Sequence, residues 1–307
     1  MSDTDKVFAG SVPKLYDEYL VPMIFAEYAD DIAGRVAALS PSVLLETAAG
    51  TGAVTRAVTA ALPPGIRYVA TDLNEPMLAI AAQRQGEDPR VSWRRADATA
   101  LPFDDAEFDV VCCQFGAMFF PDRVKGYSEA RRVLKPNGTF LFNVWDRIEE
   151  NVFAHDATMA LGKLFRDDPP RFMARTPHGY FDQTIIRADL ERAGFGNVSI
   201  ETRATISRAP TADHVAIAYC QGTPLRGEIE ARDASKLQAA TDAVAEAIRI
   251  RHGSGPVEAK IQALVITARR VRHVRPRRVV ARPLTTNSAA SAASIDSTGT
   301  GHAAGAD

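Results

Sequence analysis

Cysteine is scarce: three in 307 residues, with Cys112 and Cys113 adjacent. That number and spacing supply neither a disulfide framework nor a metal site, and a reducing cytoplasm is the compartment expected. No run of 18 apolar residues occurs, so no membrane-spanning helix is expected. The first residues, Met-Ser-Asp-Thr-Asp-Lys, are polar and acidic, where a secretory leader needs a basic start and an apolar core. Internal repeats are absent. Net charge is only −2, and it is unevenly spread. Residues 269–307 hold seven Arg against two Asp, a balance of +5, which leaves −7 on the preceding 268 residues. A mildly acidic body repels phosphate backbones, so a nucleic-acid partner is not expected of it.

What is present is an alternation of short apolar runs with helical stretches. Strands are expected at Val43–Glu46, Arg67–Thr71, Val91–Arg95, Phe108–Cys113 and Thr139–Trp145. Helices are expected at Ala53–Leu62, Glu75–Gln85 and Val124–Leu134, with Lys135-Pro136-Asn137-Gly138 as a helix stop and tight turn. Strands alternating with helices at this spacing make βαβ units. Their continuous apolar character suits strands covered on both faces, and right-handed crossovers give a doubly wound α/β fold. The first forty residues read as helical, ended by Ser40-Pro41. After residue 148 helices are expected at Val152–Phe165, Ile185–Ala193 and Leu237–Ile250, and strands at Val198–Ile206 and Ala259–Ala268. The segment from about 274 has no apolar periodicity and is expected to be a disordered tail.

The most informative stretch is V-L-L-E-T-A-A-G-T-G, residues 43–52. An apolar strand ends in Glu46, and a small-residue loop leads into a helix. Gly50 and Gly52 allow a tight turn and close approach of a ligand, Ala48 keeps the loop small, and Thr51 offers a hydroxyl. Asp72, with Leu73 beside it, ends the second strand 22 residues after Gly50. An acid there can accept from both hydroxyls of a ribose, or it can cap the helix that starts near Glu75-Pro76. Asp97 and Ala98 follow the third strand, where a carboxylate and a backbone amide suit an adenine edge. Gln114 and Phe115 end the fourth strand, where their backbone suits the far end of the ligand. A dinucleotide site is the competing reading. Glu46 would repel a pyrophosphate, however, and the third small position of G-x-G-x-x-G is Thr55. The acid is useful against a ligand carrying an ammonium and a sulfonium.

The motifs V-L-L-E-T-A-A-G-T-G, Y-V-A-T-D-L-N, A-D-A-T-A-L-P-F and R-V-L-K-P-N-G-T-F resemble, in order, those of class I S-adenosylmethionine-dependent methyltransferases. The small-molecule branch typified by ubiquinone/menaquinone methyltransferases is the most similar, in the type 11 manner. The resemblance covers roughly residues 10–268 and implies a Rossmann-like seven-stranded, mostly parallel sheet with helical cap elements, its last strand antiparallel. It implies S-adenosyl-L-methionine as cofactor and a small-molecule methyl acceptor. Ala48 departs from the family's usual glycine. One domain over 1–268 follows: a helical cap (1–40), a cofactor core (41–147), cap and substrate insertions (148–258) and a last strand (259–268), before a basic, then Ser/Ala-rich tail (269–307).

Methyl transfer from a sulfonium is an in-line displacement that asks mainly for alignment and exclusion of water, with a base optional. Tyr16 and Tyr19, Asp146 and Tyr180 are the candidate acceptor contacts, and His178 the candidate base. Cys220-Gln221-Gly222-Thr223 is a candidate lid segment. A nicotinamide-dependent oxidoreductase and a non-catalytic S-adenosylmethionine-binding regulator using the basic tail are the alternatives.

Overall fold

A computed structural model describes residue 8 and residues 10–271. The chain begins with α1 (Val12–Leu15), a π-helical segment (Tyr16–Phe25) and α2 (Ala26–Leu39). The first βα units are β1 (Val43–Glu46), α3 (Ala53–Ala61), β2 (Arg67–Asp72), α4 (Glu75–Gln85) and β3 (Val91–Arg95). Then come β4 (Phe108–Gln114), α5 (Arg123–Val133), β5 (Leu134–Trp145), α6 (Val152–Leu164), α7 (Phe172–Arg175) and α8 (Gln183–Arg192). The last elements are β6 (Gly196–Ala209), α9 (Ala212–Gln221), α10 (Leu225–Asp233), α11 (Leu237–His252) and β7 (Val257–Arg269).

The seven strands form one sheet in the order β3-β2-β1-β4-β5-β7-β6. The first five run parallel, and β7 lies antiparallel between β5 and β6. Leu44 and Leu45 of β1 and Val110, Val111, Cys112 and Cys113 of β4 are fully buried, because helices cover both faces of these central strands. Chain order reverses between β1 and β4. The loops leaving those two strands therefore part over the carboxyl edge, where a doubly wound sheet opens a crevice for a ligand.

Three local departures have physical reasons. The N-terminal helical region is not one regular helix: it winds as a π-helix from Tyr16 to Phe25, with Pro22, which has no N–H to donate, inside it. Lys135–Gly138 does not form a free turn. It is the bulged start of β5, where pairing with β4 shifts between Phe108 and Val110 and Asn137 takes φ 68°. The stretch between β6 and β7 is a three-helix insert whose α9 packs on the π-helical segment. The basic and Ser/Ala-rich tail expected from residue 269 onward lies largely outside the described residues.

Candidate functional site

The loop after β1 is held by backbone geometry. Ala48, Gly50 and Gly52 all take positive φ, 54°, 56° and 79°. Arg56 on α3 donates to the Thr51 carbonyl at 2.7 Å and fixes the loop from behind. At Gly52 an added Cβ would meet the Ala81 Cβ at 3.0 Å and the Trp93 ring at 3.3 Å. Gly52 thus serves the packing of the loop on α4 and β3, and it lies outside the cleft lining.

Asp72 at the tip of β2 is 7% exposed and ties two loops together. Its carboxylate accepts from the Gly50 N–H at 2.9 Å and from the Asn74 N–H at 2.8 Å. Burial raises its pKa, against the pull of those amide bonds. Asp97 accepts from the Thr99 N–H and hydroxyl, both at 2.8 Å and both through Oδ1. Among the described residues its Oδ2 meets no donor, and the adjacent Ala98 N–H has no backbone partner. Asp72, Leu73, Asp97, Ala98, Gly50, Gln114 and Phe115 line one cleft at the carboxyl edge, about 1150 Å³ including its mouth.

Glu46 does not share that cleft. It lines a smaller chamber with Thr51, Ala49, Ala53 and Val54, and the two spaces share Tyr16, Phe25, Ala48 and Gln114 as their common wall. Glu46 Oε2 accepts from the Thr55 hydroxyl at 2.5 Å and the Tyr68 hydroxyl at 2.6 Å. Burial nevertheless pushes its pKa up to about 7. Beside it the Thr51 hydroxyl is buried with no hydrogen-bond partner among the described residues. A buried orphan hydroxyl next to a half-satisfied carboxyl is what a polar ligand group would complete.

Phe115 and Trp145 form the floor beneath the switch point. Their rings stack at 3.7 Å, 11° from parallel. Phe115 is held at φ 48°, with its N–H donating to Asn143 Oδ1 at 2.9 Å. Ala48 and Gly116 form a matched pair. A Cβ on Gly116 would lie 2.4 Å from the Ala48 Cβ and 2.8 Å from Cys113 Sγ. The Ala48 methyl, where the sequence resemblance implies glycine, is thus accommodated by glycine across the crevice.

The acceptor-side expectations fare differently. Tyr16 lines both spaces, stacked on Phe25 at 5.0 Å. Tyr19, Asp146, Tyr180 and His178 are not in the lining. Tyr19 packs on His214, and Asp146 Oδ2 accepts from Gln262 at 2.7 Å. The Tyr180 hydroxyl donates to Asp189 at 2.9 Å. His178 is 3% exposed, its Nδ1 is 2.9 Å from the Asp146 carbonyl oxygen, and burial lowers its pKa to about 4. A base must reach the proton it removes, and this imidazole is sealed away from the cleft. The lining that sequence reasoning missed is apolar: Leu20, Ile24, Met118, Phe119, Phe172 and Met173. A helix-period apolar pattern marks these residues as buried but does not say that they border a cavity.

A seven-stranded sheet of this order, with a nucleoside-sized cleft at its switch point and acids at the tips of β1 and β2 and just after β3, defines the class I methyltransferase architecture. Residues 45–142 match the family model described as a methyltransferase domain. The demethylmenaquinone methyltransferase of Clavibacter sepedonicus is 43% identical over 172 residues, 53% of this chain and 69% of that protein. The ubiquinone/menaquinone biosynthesis C-methyltransferase UbiE of Stutzerimonas stutzeri (strain A1501) is 28% identical over 205 residues, 63% of this chain and 75% of that protein. Among solved structures, Haemonchus contortus phosphoethanolamine N-methyltransferase 2 superposes with a TM-score of 0.54 at 17% identity, over 85% of this chain and 57% of that one. Bacillus subtilis YcgJ gives 0.51 at 18%, over 80% and 99%. The chain belongs to the class I S-adenosylmethionine-dependent methyltransferases, and S-adenosylmethionine is the methyl donor of that family. Among the described residues no helix is long and apolar enough to cross a membrane.

Proposed function

We propose that this methyltransferase acts on a small, largely apolar acceptor held in the aromatic half of the cleft. The observation that carries this reading is the division of the lining. Among the described residues, Asp72 and Asp97 are its only carboxylates, both on the β2–β3 side, and no Lys, Arg or His faces the space. The two relatives above are named for demethylmenaquinone methylation and for ubiquinone/menaquinone biosynthesis, which agrees with an apolar chamber.

When bound, S-adenosylmethionine supplies an electrophilic methyl group on a sulfonium. The residues fit it on several counts. Asp72 Oδ1 is taken by the Asn74 backbone and side-chain amides, at 2.8 and 3.4 Å, while Oδ2, with one bond from the Gly50 N–H at 2.9 Å, keeps a lone pair for a ribose hydroxyl. Asp97 Oδ2 and the Ala98 N–H form an acceptor–donor pair suited to an adenine edge. Glu46, the orphan Thr51 hydroxyl and Gln114 meet around the smaller chamber, where an ammonium-bearing end would be charge-matched. Tyr16 and Phe25 lie across both spaces and would exclude water from the reacting centre. This arrangement draws no proton-abstracting role from His178. The residues align and desolvate, and the acceptor supplies its own nucleophilic atom.

Thermal shifts with S-adenosylhomocysteine and with NAD test the cofactor half: stabilisation by the first and not the second is expected. Methyl-labelled S-adenosylmethionine incubated with the protein and cell extract tests the acceptor half. Label in a neutral, solvent-extractable small molecule is expected. Label confined to protein, nucleic acid or ionised metabolites would overturn the reading.

A further inference from the structure

Tyr219 is unaccounted for by the cofactor. It stands on α9, in the insert between β6 and β7, and is 2% exposed. Other buried tyrosines have partnered hydroxyls: Tyr28 donates to the Arg203 carbonyl at 3.0 Å, Tyr68 to Glu46 at 2.6 Å and Tyr180 to Asp189 at 2.9 Å. The Tyr219 hydroxyl has no hydrogen bond among the described residues, yet it is not sealed off, because the residue lines the cleft. Burial alone raises its pKa, and no charged group contributes. Its neighbour Thr223 lines the same cleft but is spent: its hydroxyl donates to the Tyr219 carbonyl at 2.7 Å and accepts from the Leu225 N–H at 3.2 Å. Those two bonds also fix the end of α9. The surroundings on this side, including Leu20, Ile24, Phe172 and Met173, have no strongly polar side-chain atoms to offer.

The Tyr219 hydroxyl opens onto the cleft, so whatever fills that space supplies its partner, and it stands there as a donor free to meet a ligand. An anionic acceptor would want an Arg or Lys, and an ammonium a carboxylate, and among the described residues this half of the lining has neither. A neutral oxygen on an apolar body meets both conditions. We propose that Tyr219 is the specificity-determining contact of the acceptor side, its hydroxyl donating a hydrogen bond to a neutral oxygen of an otherwise apolar acceptor. The assignment rests on the methyltransferase reading above and names a residue that the family match, residues 45–142, does not reach.

The test is calorimetric titration of the full chain, saturated with S-adenosylhomocysteine, with four matched probes: 2-naphthol, naphthalene, 2-naphthoate and 2-naphthylmethylammonium. Naphthol is expected to bind about three- to tenfold more tightly than naphthalene, the range of one neutral hydrogen bond. Tyr219→Phe is expected to erase that ratio while leaving the affinities for naphthalene and S-adenosylhomocysteine unchanged. Equal binding of naphthol and naphthalene by the wild-type chain overturns the assignment even if the variant does not fold. So does an unaltered ratio in Tyr219→Phe, tighter binding of either charged probe, or no binding of naphthol at all. Failure of the wild-type chain to bind S-adenosylhomocysteine would instead bring down the methyltransferase reading, and this assignment with it.

Discussion

The two halves of the cleft are built by different physics. The half proposed to hold the cofactor comes from loops within residues 46–116, and its shape is set by the main chain: positive φ at Ala48, Gly50 and Phe115, and a carboxylate clamped by the Gly50 and Asn74 amides. The opposite half is assembled from segments far apart in the chain, the π-helical segment, Trp145, the region from Phe172 to Pro177, and α9. Its shape is set by side-chain volume. The first half therefore should be sensitive to single polar atoms and single methyl groups, and the second to loss of bulk.

The largest effect is expected where the halves meet. Trp145→Ala removes the ring stacked on Phe115 and should cost about 3–5 kcal/mol of stability, read as a lowered denaturant midpoint with unchanged slope. A loss under 1 kcal/mol would mean that the floor of the cleft collapses to fill the space, and the two halves are less distinct than described. Next, Asp72→Ala should weaken S-adenosylhomocysteine binding by about 1.5–3 kcal/mol through loss of a charged acceptor. An unchanged dissociation constant counts against the ribose assignment.

Gly116→Ala should destabilise by about 1–3 kcal/mol, because its methyl would enter the space of the Ala48 Cβ. Ala48→Gly in the same chain should restore part of that loss, and the double-mutant cycle measures the coupling. Additive effects would show that the two positions do not share the crevice. The last expected effect concerns pH. Glu46 has its folded-state pKa raised from 4.5 to about 7 by burial, so the folded protein holds the proton more tightly than the unfolded chain does. Its contribution is fully present below about 4.5 and is lost as pH rises through about 7. Glu46→Gln should flatten that decline in thermal melts. Binding of the ammonium-bearing S-adenosylhomocysteine by the wild-type chain should strengthen over the same rise, and the variant should lose this dependence.

Legibility in the sequence follows the same division. The strand–loop–acid spacing through Glu46, Asp72 and Asp97 is local, and each strand end was readable from a change in composition within a few residues. The sheet's class followed from the alternation itself. Gly52 shows the limit: its need for glycine was legible, but whether ligand or helix sits against it depends on Ala81 and Trp93, remote in the chain. Glu46 and Asp72 read as acids at strand tips serving different ends of one ligand, and the structure sets them in adjoining spaces that share Tyr16, Phe25, Ala48 and Gln114 as walls. His178 had the chemistry of a base, and only tertiary burial against Trp145 and the Asp146 carbonyl removes it from the cleft. The aromatic lining was illegible for a related reason, since a cavity-facing Phe and a core Phe follow the same helical period.

Ala209, the last residue of β6, pairs with Val257, the first of β7, so the three-helix insert leaves and re-enters the sheet at adjacent points. Grafting a different segment between those anchors would leave β1, β2 and β3, whose ends carry Glu46 and Asp72 and lead to Asp97, in register. The share of the far wall that this insert supplies, Tyr219, Thr223 and Pro224, is thereby modular: it can be exchanged at one hairpin junction while the π-helical segment, Trp145 and Phe172 stay in place.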